Sequence, residues 1–515
     1  MKKYSLSLLT ILVFSFHSFA QITEQEVDNL VNRTLTAFNI PGIAVAIVKD
    51  GKVTLAKGYG VKSILTNEKV DANTLYGIAS NSKAFTATAL AILIDEGKLK
   101  WDDKVVTYLP NFKMYNDYVT NEFTIRDLLT HRSGLGLGAG DLMIWPDGSN
   151  FTAQDIIGNL QYLKPVSGFR TKFDYDNLLY MVAGEVVHKV SGISWCDFVE
   201  SRIMKPLEMK NSAASFVRLK DTSNVIVPHV PVDGKLKVIS RYKNQILDAA
   251  GGIYSNVNDM SKWMIMQLNN GKYGTENKQL FSEKEHNEMW TPQTILPAVT
   301  RPPYNTHFSS YGLGWFLNDV KGYKEVTHTG GLEGIVTQVT LLPELNLGIV
   351  VLTNQQSGAA FTAITNTIKD SYLGIKSVDY VMAYSNRVKA VEETADKTTE
   401  EVWAMVAKNK KDKVKIDFSN YVGTYKDVWF GEIIISEKKG KLLFASKRSP
   451  QLAGELLLYK DKNLVVKWNN AFFHADSHLF FEFDAAGKAI GIKMKPISEL
   501  TDFSYDFQDL DFKRI

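Results

Sequence analysis

Cysteine is almost missing from this chain of 515 residues, in which Cys196 is the only one. A single thiol excludes an intrachain disulfide, so packing of the core must hold the fold together. The chain also lacks a large excess of positive or negative charge, because 59 basic and 56 acidic side chains leave a formal net charge of +3. Such a balance gives no reason to expect nucleic acid or an anionic membrane as a partner.

Long apolar runs are confined to the N-terminus. Residues 1–20 combine a basic start, a short apolar run and a small-residue end at Ser18 and Ala20. The run is too short to span a bilayer, so we favour a cleavable signal peptide over a membrane anchor. We expect cleavage after Ala20 and a periplasmic or secreted protein, with no membrane span once the signal is removed.

Motifs of other enzyme classes are also missing. No Gly-x-Ser-x-Gly elbow or His-Glu-x-x-His helix occurs, which excludes the α/β-hydrolase and zincin arrangements. The glycine-rich residues 134–141 lack the dinucleotide spacing and are interpreted as a mobile loop near a cleft. His474 and His478 lie on an expected strand, where this spacing holds a metal poorly. The sequence therefore implies neither a metal nor a cofactor.

The order of the expected elements predicts one sheet built from distant parts of the chain. Two apolar strands flank the turn Asp50-Gly51, and strands return at residues 326–354 after a largely helical block over residues 77–300. Strands at both ends of a region, with helices between them, indicate such a shared sheet. We therefore expect a first domain over residues 21–375.

The composition and the apolar pattern of the chain change twice after residue 375. Residues 376–415 are charged, helix-prone and poor in glycine and proline, as expected for a solvated helical linker. Over residues 416–515, alternating apolar runs separated by turn sequences predict a small all-β domain, a barrel or a closed sandwich.

One helix opens with polar residues although the rest of it is apolar. In the stretch GIASNSKAFTATALAILIDEGKL, which starts at Gly77, Ser80 and Lys83 share one helix face. A buried unpaired charge is costly, and both burial and the positive helix end lower the pKa of a lysine. A neutral Lys83 could take the Ser80 proton, so the pair is a candidate nucleophile and general base.

Ser-x-x-Lys is a common pattern, and two further copies occur at Ser240/Lys243 and Ser436/Lys439. The second of these stands in an expected surface hairpin. Because only the copy at Ser80 opens an apolar helix, it is the one with catalytic potential.

Two further motifs contain side chains that could act together with Ser80 and Lys83. Tyr175 and Asn177 precede an apolar helix, where a phenol can relay protons and an amide can hold a substrate amide. His328-Thr329-Gly330-Gly331 ends a strand, and glycines let backbone N–H groups approach an oxyanion closely. Tyr-x-Asn also recurs, at Tyr242/Asn244, Tyr254/Asn256 and Tyr384/Asn386.

In this order, Ser80-x-x-Lys83, Tyr175-x-Asn177 and His328-Thr329-Gly330 resemble the motifs of the penicillin-recognising serine hydrolases. Linking stretches such as TIRDLLTHRSGL and AAGGIYSNVNDMSKW are similar to the class C β-lactamase-like branch, which includes DD-carboxypeptidases, D-aminopeptidases and esterases. The resemblance covers residues 25–375. It implies an α/β two-subdomain β-lactamase/transpeptidase-like fold, an antiparallel sheet plus a helical subdomain. The all-β region resembles the lipocalin-like domain appended to many such hydrolases.

The resemblance also implies roles for the motif residues. Ser80 would be the nucleophile, Lys83 its base and Tyr175 a second acid/base. The backbone N–H groups of Ser80 and Gly331 would form the oxyanion hole. The implied substrate-binding residues are Asn177, His328, Thr329, Gly330 and Gly331.

The chain departs from the class C β-lactamases at two positions. His328 stands where those enzymes have a lysine, and a histidine near pH 7 is mostly neutral, which weakens a β-lactamase assignment. Asp176 lies between the two members of the tyrosine motif, and we expect its side chain to point to solvent.

We therefore expect an exported serine hydrolase that forms an acyl-enzyme on Ser80. The favoured substrate is a small molecule or short peptide with an amide bond, D-residue peptides included. A carboxylesterase and a β-lactamase share the same motifs and stay open, as does an idle hydrolase fold used as a binding protein. The motifs leave the oligomeric state and the role of the C-terminal domain undetermined.

Overall fold

The computed structural model describes residues 21–376 and 378–515, so the expected signal peptide at residues 1–20 lies outside the described residues. The α-helices are α1 (Glu24–Ala37), α2 (Ser82–Asp95), α3 (Val105–Tyr108), α4 (Asp117–Glu122), α5 (Ala153–Asn159), α6 (Leu178–Ser191), α7 (Trp195–Val199), α8 (Val257–Leu268), α9 (Glu283–Met289), α10 (Gly358–Leu373) and α11 (Tyr380–Lys411). In the described part of the chain, none of them is both long and apolar enough to cross a membrane.

Within the described residues, the strands of the first domain form one main sheet and three two-stranded pairs. The strands are β1 (Gly42–Lys49), β2 (Lys52–Gly60), β3 (Tyr76–Gly77), β4 (His229–Val232), β5 (Lys235–Val238), β6 (Tyr254–Ser255), β7 (Lys272–Tyr273), β8 (Lys278–Gln279), β9 (Thr294–Leu296), β10 (Ser309–Tyr311), β11 (Phe316–Val320), β12 (Tyr323–Leu332), β13 (Ile335–Leu342) and β14 (Leu347–Thr353). The three pairs are β3-β6, β4-β5 and β7-β8.

The main sheet joins the two ends of the domain, as the sequence predicted. Its eight strands run in the order β2-β1-β14-β13-β12-β11-β10-β9, and β1 pairs antiparallel with β14 so that Val45 lies opposite Val351. Asp50 and Gly51 form the turn between β1 and β2 with φ of 52° and 72°, the left-handed pair that a two-residue hairpin favours.

Helices cover both faces of this sheet. Along β1, Ile43 and Val45 pack in a cluster with α1 and α10, whereas Ala44 and Ala46 face the larger core that contains α2 and α8. Helix α2 is buried on every side from Ser82 to Leu93, which explains why it is apolar all round. The turn that precedes its N-terminal end lies against β12.

The C-terminal domain is a closed eight-stranded antiparallel barrel, a closure that removes exposed strand edges. Its strands are β15 (Gly423–Asp427), β16 (Gly431–Lys438), β17 (Lys441–Ser446), β18 (Ala453–Lys460), β19 (Asn463–Trp468), β20 (Ser477–Phe483), β21 (Ala489–Pro496) and β22 (Phe512–Arg514).

Helix α11 runs through the stretch that we expected to be a solvated linker. One side of it is in fact packed: Val402 and Val406 lie against Val465 and Ile497 of the barrel. Its first turn packs on α10 through Tyr380. The helix therefore contacts both domains.

Candidate active site

Ser80 lies in the 3-10 turn Ala79–Asn81, directly before α2. The preceding Ala79 has a φ of 50°, in the left-handed region that residues with a Cβ rarely adopt. This strained turn presents the half-buried Ser80 to the wall of a cavity.

Lys83 is one turn farther along α2 and has no exposed surface (0%). Its Nζ lies 3.1 Å from Ser80 Oγ, 2.7 Å from Asn177 Oδ1 and 3.0 Å from the carbonyl oxygen of Ala250. The amide and carbonyl oxygens can only accept hydrogen bonds. Because they occupy both N–H bonds of a neutral amine, the lone pair of that amine faces Ser80 Oγ. The geometry suits proton transfer from the serine to the lysine.

Burial determines the protonation state of this lysine. Desolvation lowers the pKa of Lys83 to about 7, although the carboxyl groups of Asp141 and Asp176 act in the opposite direction. A substantial fraction of Lys83 is therefore uncharged near neutral pH. The sequence indicated the same downward shift of the pKa.

Tyr175 lies beside the same pair. Desolvation raises the pKa of its phenol well above 10, against a hydrogen bond with Ser80 that lowers it, so the phenol keeps its proton. Lys83 Nζ is 4.8 Å from the centre of the Tyr175 ring. The His131 ring stacks on the Tyr175 ring at a centroid distance of 4.2 Å, and the backbone N–H of Asp176 donates to His131 Nδ1. Tyr175 thus contacts both Lys83 and His131.

Asn177 joins Lys83 to the glycine-rich segment. While its Oδ1 accepts from Lys83, its Nδ2 donates to Asp141 Oδ2 at 2.7 Å. Asp141 has no exposed surface, and desolvation raises its pKa well above the usual range. The segment interpreted as a mobile loop near a cleft therefore ends in a buried group that contacts the site.

The expectation that Asp176 points to solvent is wrong. Its side chain is fully buried, and Oδ1 accepts the N–H of Leu179 at 3.3 Å, at the start of α6. Free N–H groups of a helix start attract a carboxylate, which turns this side chain inward. Desolvation raises the pKa of Asp176 to about 7.

His328 is held as a neutral imidazole on β12. Its Nδ1 donates to the Thr329 carbonyl oxygen at 2.6 Å, and its Nε2 accepts from the Tyr311 hydroxyl at 3.0 Å. Desolvation, followed by repulsion from Lys83, lowers the pKa of His328 to about 3. This side chain therefore supplies no cation to a substrate carboxylate at neutral pH.

The two glycines that follow have different surroundings. A Cβ on Gly330 would lie 2.3 Å from the Ile78 carbonyl oxygen, so only glycine lets β12 approach the serine turn this closely. A Cβ on Gly331 would meet none of the described heavy atoms within 4 Å, and Gly331 lines the cavity together with Thr329. All the motif residues predicted from the sequence thus converge on one place.

The cavity has a volume of about 510 Å³ and two walls. One wall belongs to the first domain; the other is made of residues from the barrel domain, which sequence reasoning did not connect with the site. The contributing barrel-domain residues are Phe472, Phe473, His474, Leu500, Asp502, Phe503, Ser504 and Tyr505.

Aromatic rings line much of this cavity, together with two carboxyl groups. Among the described residues that line it, Glu333 and Asp502 are acidic, and neither a lysine nor an arginine is present. The Tyr505 hydroxyl donates to Glu333 Oε1 at 3.1 Å, and desolvation raises the pKa of Glu333 to about 7. The lining aromatic residues are Trp145, Phe173, Tyr175, Phe316, Phe472, Phe473, Phe503 and Tyr505.

His474 and His478 occupy different elements. His478 lies in β20, as expected, but His474 follows a 3-10 turn with a φ of 48°, and its Nε2 lies 2.7 Å from the Pro231 carbonyl oxygen. Within the described ranges, no three His, Cys, Asp or Glu side chains are placed to hold a metal ion.

The sequence profile of the family described as Beta-lactamase matches residues 27–373. The chain belongs to the beta-lactamase family. Residues 407–514, which include the barrel, match a domain of unknown function, DUF3471. The expected membership is confirmed, and the chain is a serine hydrolase of that family.

Curated relatives agree with this assignment. Unguisins hydrolase ungD' of Aspergillus campestris is 27% identical over 444 residues, which cover 82% of this chain and 80% of the relative. Protein flp of Staphylococcus aureus strain MW2 is 29% identical over 340 residues, which cover 65% of this chain and 64% of flp.

Solved structures confirm the fold. The octameric penicillin-binding protein homologue from Pyrococcus abyssi aligns with a TM-score of 0.61 at 20% identity, over 96% of this chain and all of that one (100%). A class C beta-lactamase aligns with a TM-score of 0.56 at 20% identity, over 69% of this chain and 96% of its own. The β-lactamase/transpeptidase-like fold with a C-terminal barrel is thus established.

The two adjacent glycines provide a matched test of how closely β12 must approach the serine turn. Gly330→Ala should lower the free energy of unfolding by about 1–3 kcal/mol, because its Cβ meets a backbone atom that cannot move away. Gly331→Ala should stay within about 0.5 kcal/mol of wild type. Urea unfolding of both variants measures the difference, and equal stabilities would contradict the packing described.

Proposed function

We propose that this chain is an exported serine hydrolase that forms an acyl-enzyme on Ser80 and cleaves amide bonds of small peptides. The observation that carries the proposal is the position of Lys83 Nζ, 2.7 Å from Asn177 Oδ1, 3.0 Å from the Ala250 carbonyl oxygen and 3.1 Å from Ser80 Oγ. In the neutral amine, the first two acceptors take the N–H bonds and the lone pair is left for the Ser80 hydroxyl. Export rests on the pattern of residues 1–20 alone.

In the proposed acylation step, Ser80 Oγ attacks the substrate carbonyl carbon while its proton passes to Lys83. The negative charge that develops on the carbonyl oxygen is met by the backbone N–H groups of Ser80 and Gly331. The C–N bond then breaks, and the leaving amine takes a proton through the Tyr175 phenol. Water hydrolyses the ester in a second step that uses the same groups in reverse roles.

The lack of a lysine or arginine among the described residues of the cavity lining favours a peptide or amide over a β-lactam. Penicillins carry a carboxylate, but His328 is neutral and the ionisable side chains that line the cavity beside it include the carboxyl groups of Glu333 and Asp502, whose pKa values burial raises. A substrate with a free ammonium group would instead gain charge-assisted hydrogen bonds. The aromatic rings suit an apolar side chain next to that group.

Substitution of Ser80 tests the central step. Ser80→Ala should abolish the burst of p-nitrophenol from an activated ester and lower turnover at least about 10³-fold, because no acyl-enzyme can form. Intact mass spectrometry should detect the acyl adduct on wild type only. Ser240→Ala, which alters another Ser-x-x-Lys copy at an exposed position, is the matched control and should behave as wild type. Turnover by Ser80→Ala equal to wild type would overturn the proposal.

The pH profile tests the role of Lys83. Since Lys83 must be unprotonated to accept the Ser80 proton, kcat/KM for an uncharged substrate should fall about tenfold per unit as the pH drops below its pKa, which is about 7. Asp176 is a neighbouring group whose pKa is also about 7. The variant Asp176→Asn should show the same fall in kcat/KM at low pH, because Lys83 and not Asp176 causes it. A wild-type profile that stays flat down to pH 5 would contradict a lysine base.

A matched set of substrates tests the preference for a free amine. D-Alanyl p-nitroanilide, its N-acetyl form and its N-succinyl form carry a positive, a neutral and a negative group at the same place. We expect kcat/KM to fall in that order, by about tenfold or more in total, because charge-assisted hydrogen bonds contribute about 1.5–3 kcal/mol. Glu333→Gln should reduce the advantage of the free amine and leave the N-acetyl substrate unchanged. Preference for the succinyl compound would contradict the proposed role of the carboxyl groups, and faster hydrolysis of a penicillin than of all three compounds would support a β-lactamase instead.

A further inference from the structure

The connection between β21 and β22, residues 497–511, leaves the barrel and packs against the glycine-rich segment of the first domain. Asp506 has no exposed surface, and its two carboxyl oxygens accept the N–H groups of Gly140 at 2.7 Å and Leu142 at 3.0 Å. Ser504, which is 7% exposed, donates its hydroxyl to Asp141 Oδ2 at 2.8 Å. This connection, the barrel loop, therefore holds Asp141 by its backbone on both sides and by its side chain.

The contact between the two segments is close. A Cβ on Gly138 would lie 2.7 Å from the Phe503 carbonyl oxygen, and Gly138 has a φ of 68°. Both the close approach and the left-handed conformation favour glycine at this position. The N–H of Gly138 in turn donates to the Tyr175 carbonyl oxygen at 2.8 Å.

Two hydrogen bonds connect Asp141 to Lys83 through the side-chain amide of Asn177. Asp141 Oδ2 accepts from Asn177 Nδ2 at 2.7 Å, and Asn177 Oδ1 accepts from Lys83 Nζ at 2.7 Å. The amide of an asparagine has a donor end and an acceptor end, so its orientation decides whether Lys83 meets an acceptor or another donor.

The Ser504 hydroxyl supports the correct orientation of that amide. It donates to the same Asp141 oxygen as Asn177 does, and this keeps the oxygen an acceptor. With Asp141 displaced, the amide of Asn177 could turn and direct its N–H groups at Lys83, whose lone pair would then lose its alignment with Ser80.

We propose that the C-terminal domain completes the active site, with Ser504 and Asp506 as positioning residues that hold Asp141 and thereby fix the Asn177 amide against Lys83. This inference rests on the proposed function of Lys83 as the base for Ser80. It goes beyond that function by making the barrel a requirement for proton transfer in the other domain.

The test uses two substitutions in the full-length protein. Ser504→Ala removes the hydroxyl donor. Asp506→Asn replaces two acceptor oxygens by one acceptor and one donor, so one of the two N–H bonds is lost. Ser477→Ala and Asp476→Asn are matched controls, because these barrel residues also make buried or half-buried hydrogen bonds but do not line the cavity.

The readouts separate positioning from folding. Steady-state hydrolysis of an activated p-nitrophenyl ester gives kcat and KM, and the burst amplitude counts the competent active sites. We expect kcat per competent site to fall at least about tenfold in Ser504→Ala and Asp506→Asn, as part of the 10²–10⁴-fold that positioned proton transfer contributes. KM should change less than about threefold, and the controls should keep the wild-type kcat per site even where thermal unfolding shows a lower Tm.

Two results would overturn the inference. Wild-type kcat per site in both Ser504→Ala and Asp506→Asn would show that Asp141 needs no support from the barrel. An increase in KM alone would show that the barrel loop binds substrate without positioning the lysine. The Ser80→Ala experiment is independent: its failure would remove the proposed function itself, whereas an inactive Ser80→Ala beside a fully active Ser504→Ala would overturn this inference alone.

Discussion

The burial of Lys83 is the constraint on which the rest of the site depends. An ammonium group without water costs several kcal/mol unless it is paired or loses its proton. Here α2 carries the lysine, Asn177 before α6 supplies one acceptor, and Ala250 supplies the other. These segments are far apart in the sequence, so the helical subdomain must pack them together to within hydrogen-bond distance of one amine. The close approach of β12 at Gly330 then completes the wall around the serine.

The same desolvation acts on the titratable groups around the lysine and moves each of them toward its neutral form. It lowers the pKa of His328 to about 3 and raises the pKa of Asp176 to about 7. The reaction centre therefore holds little fixed charge, which suits a step in which a proton moves between neutral groups. The carboxyl groups of Glu333 and Asp502 lie apart from this centre, one in each wall of the cavity, and burial raises their pKa values as well.

Much of the first domain could be predicted because its signals are local. The apolar character of α2 marks a buried helix, a turn such as Asp50-Gly51 marks a hairpin, and Ser80 stands where a buried helix begins. The orientation of Asp176 could not be predicted, because the choice between solvent and the start of α6 depends on packing around both. The bond from Ser504 to Asp141 spans 363 positions and leaves no pattern in the sequence.

The sequence by itself determined the elements, the three motifs and the family, since these depend on residue types at short spacing. Only the tertiary structure showed the distances at which the motifs meet, and it also decided the protonation state of the buried groups. It further showed that the barrel forms one wall of the cavity. The physical reason is that burial and long-range hydrogen bonds arise from packing between distant segments, and a pKa follows from that burial rather than from the residue type.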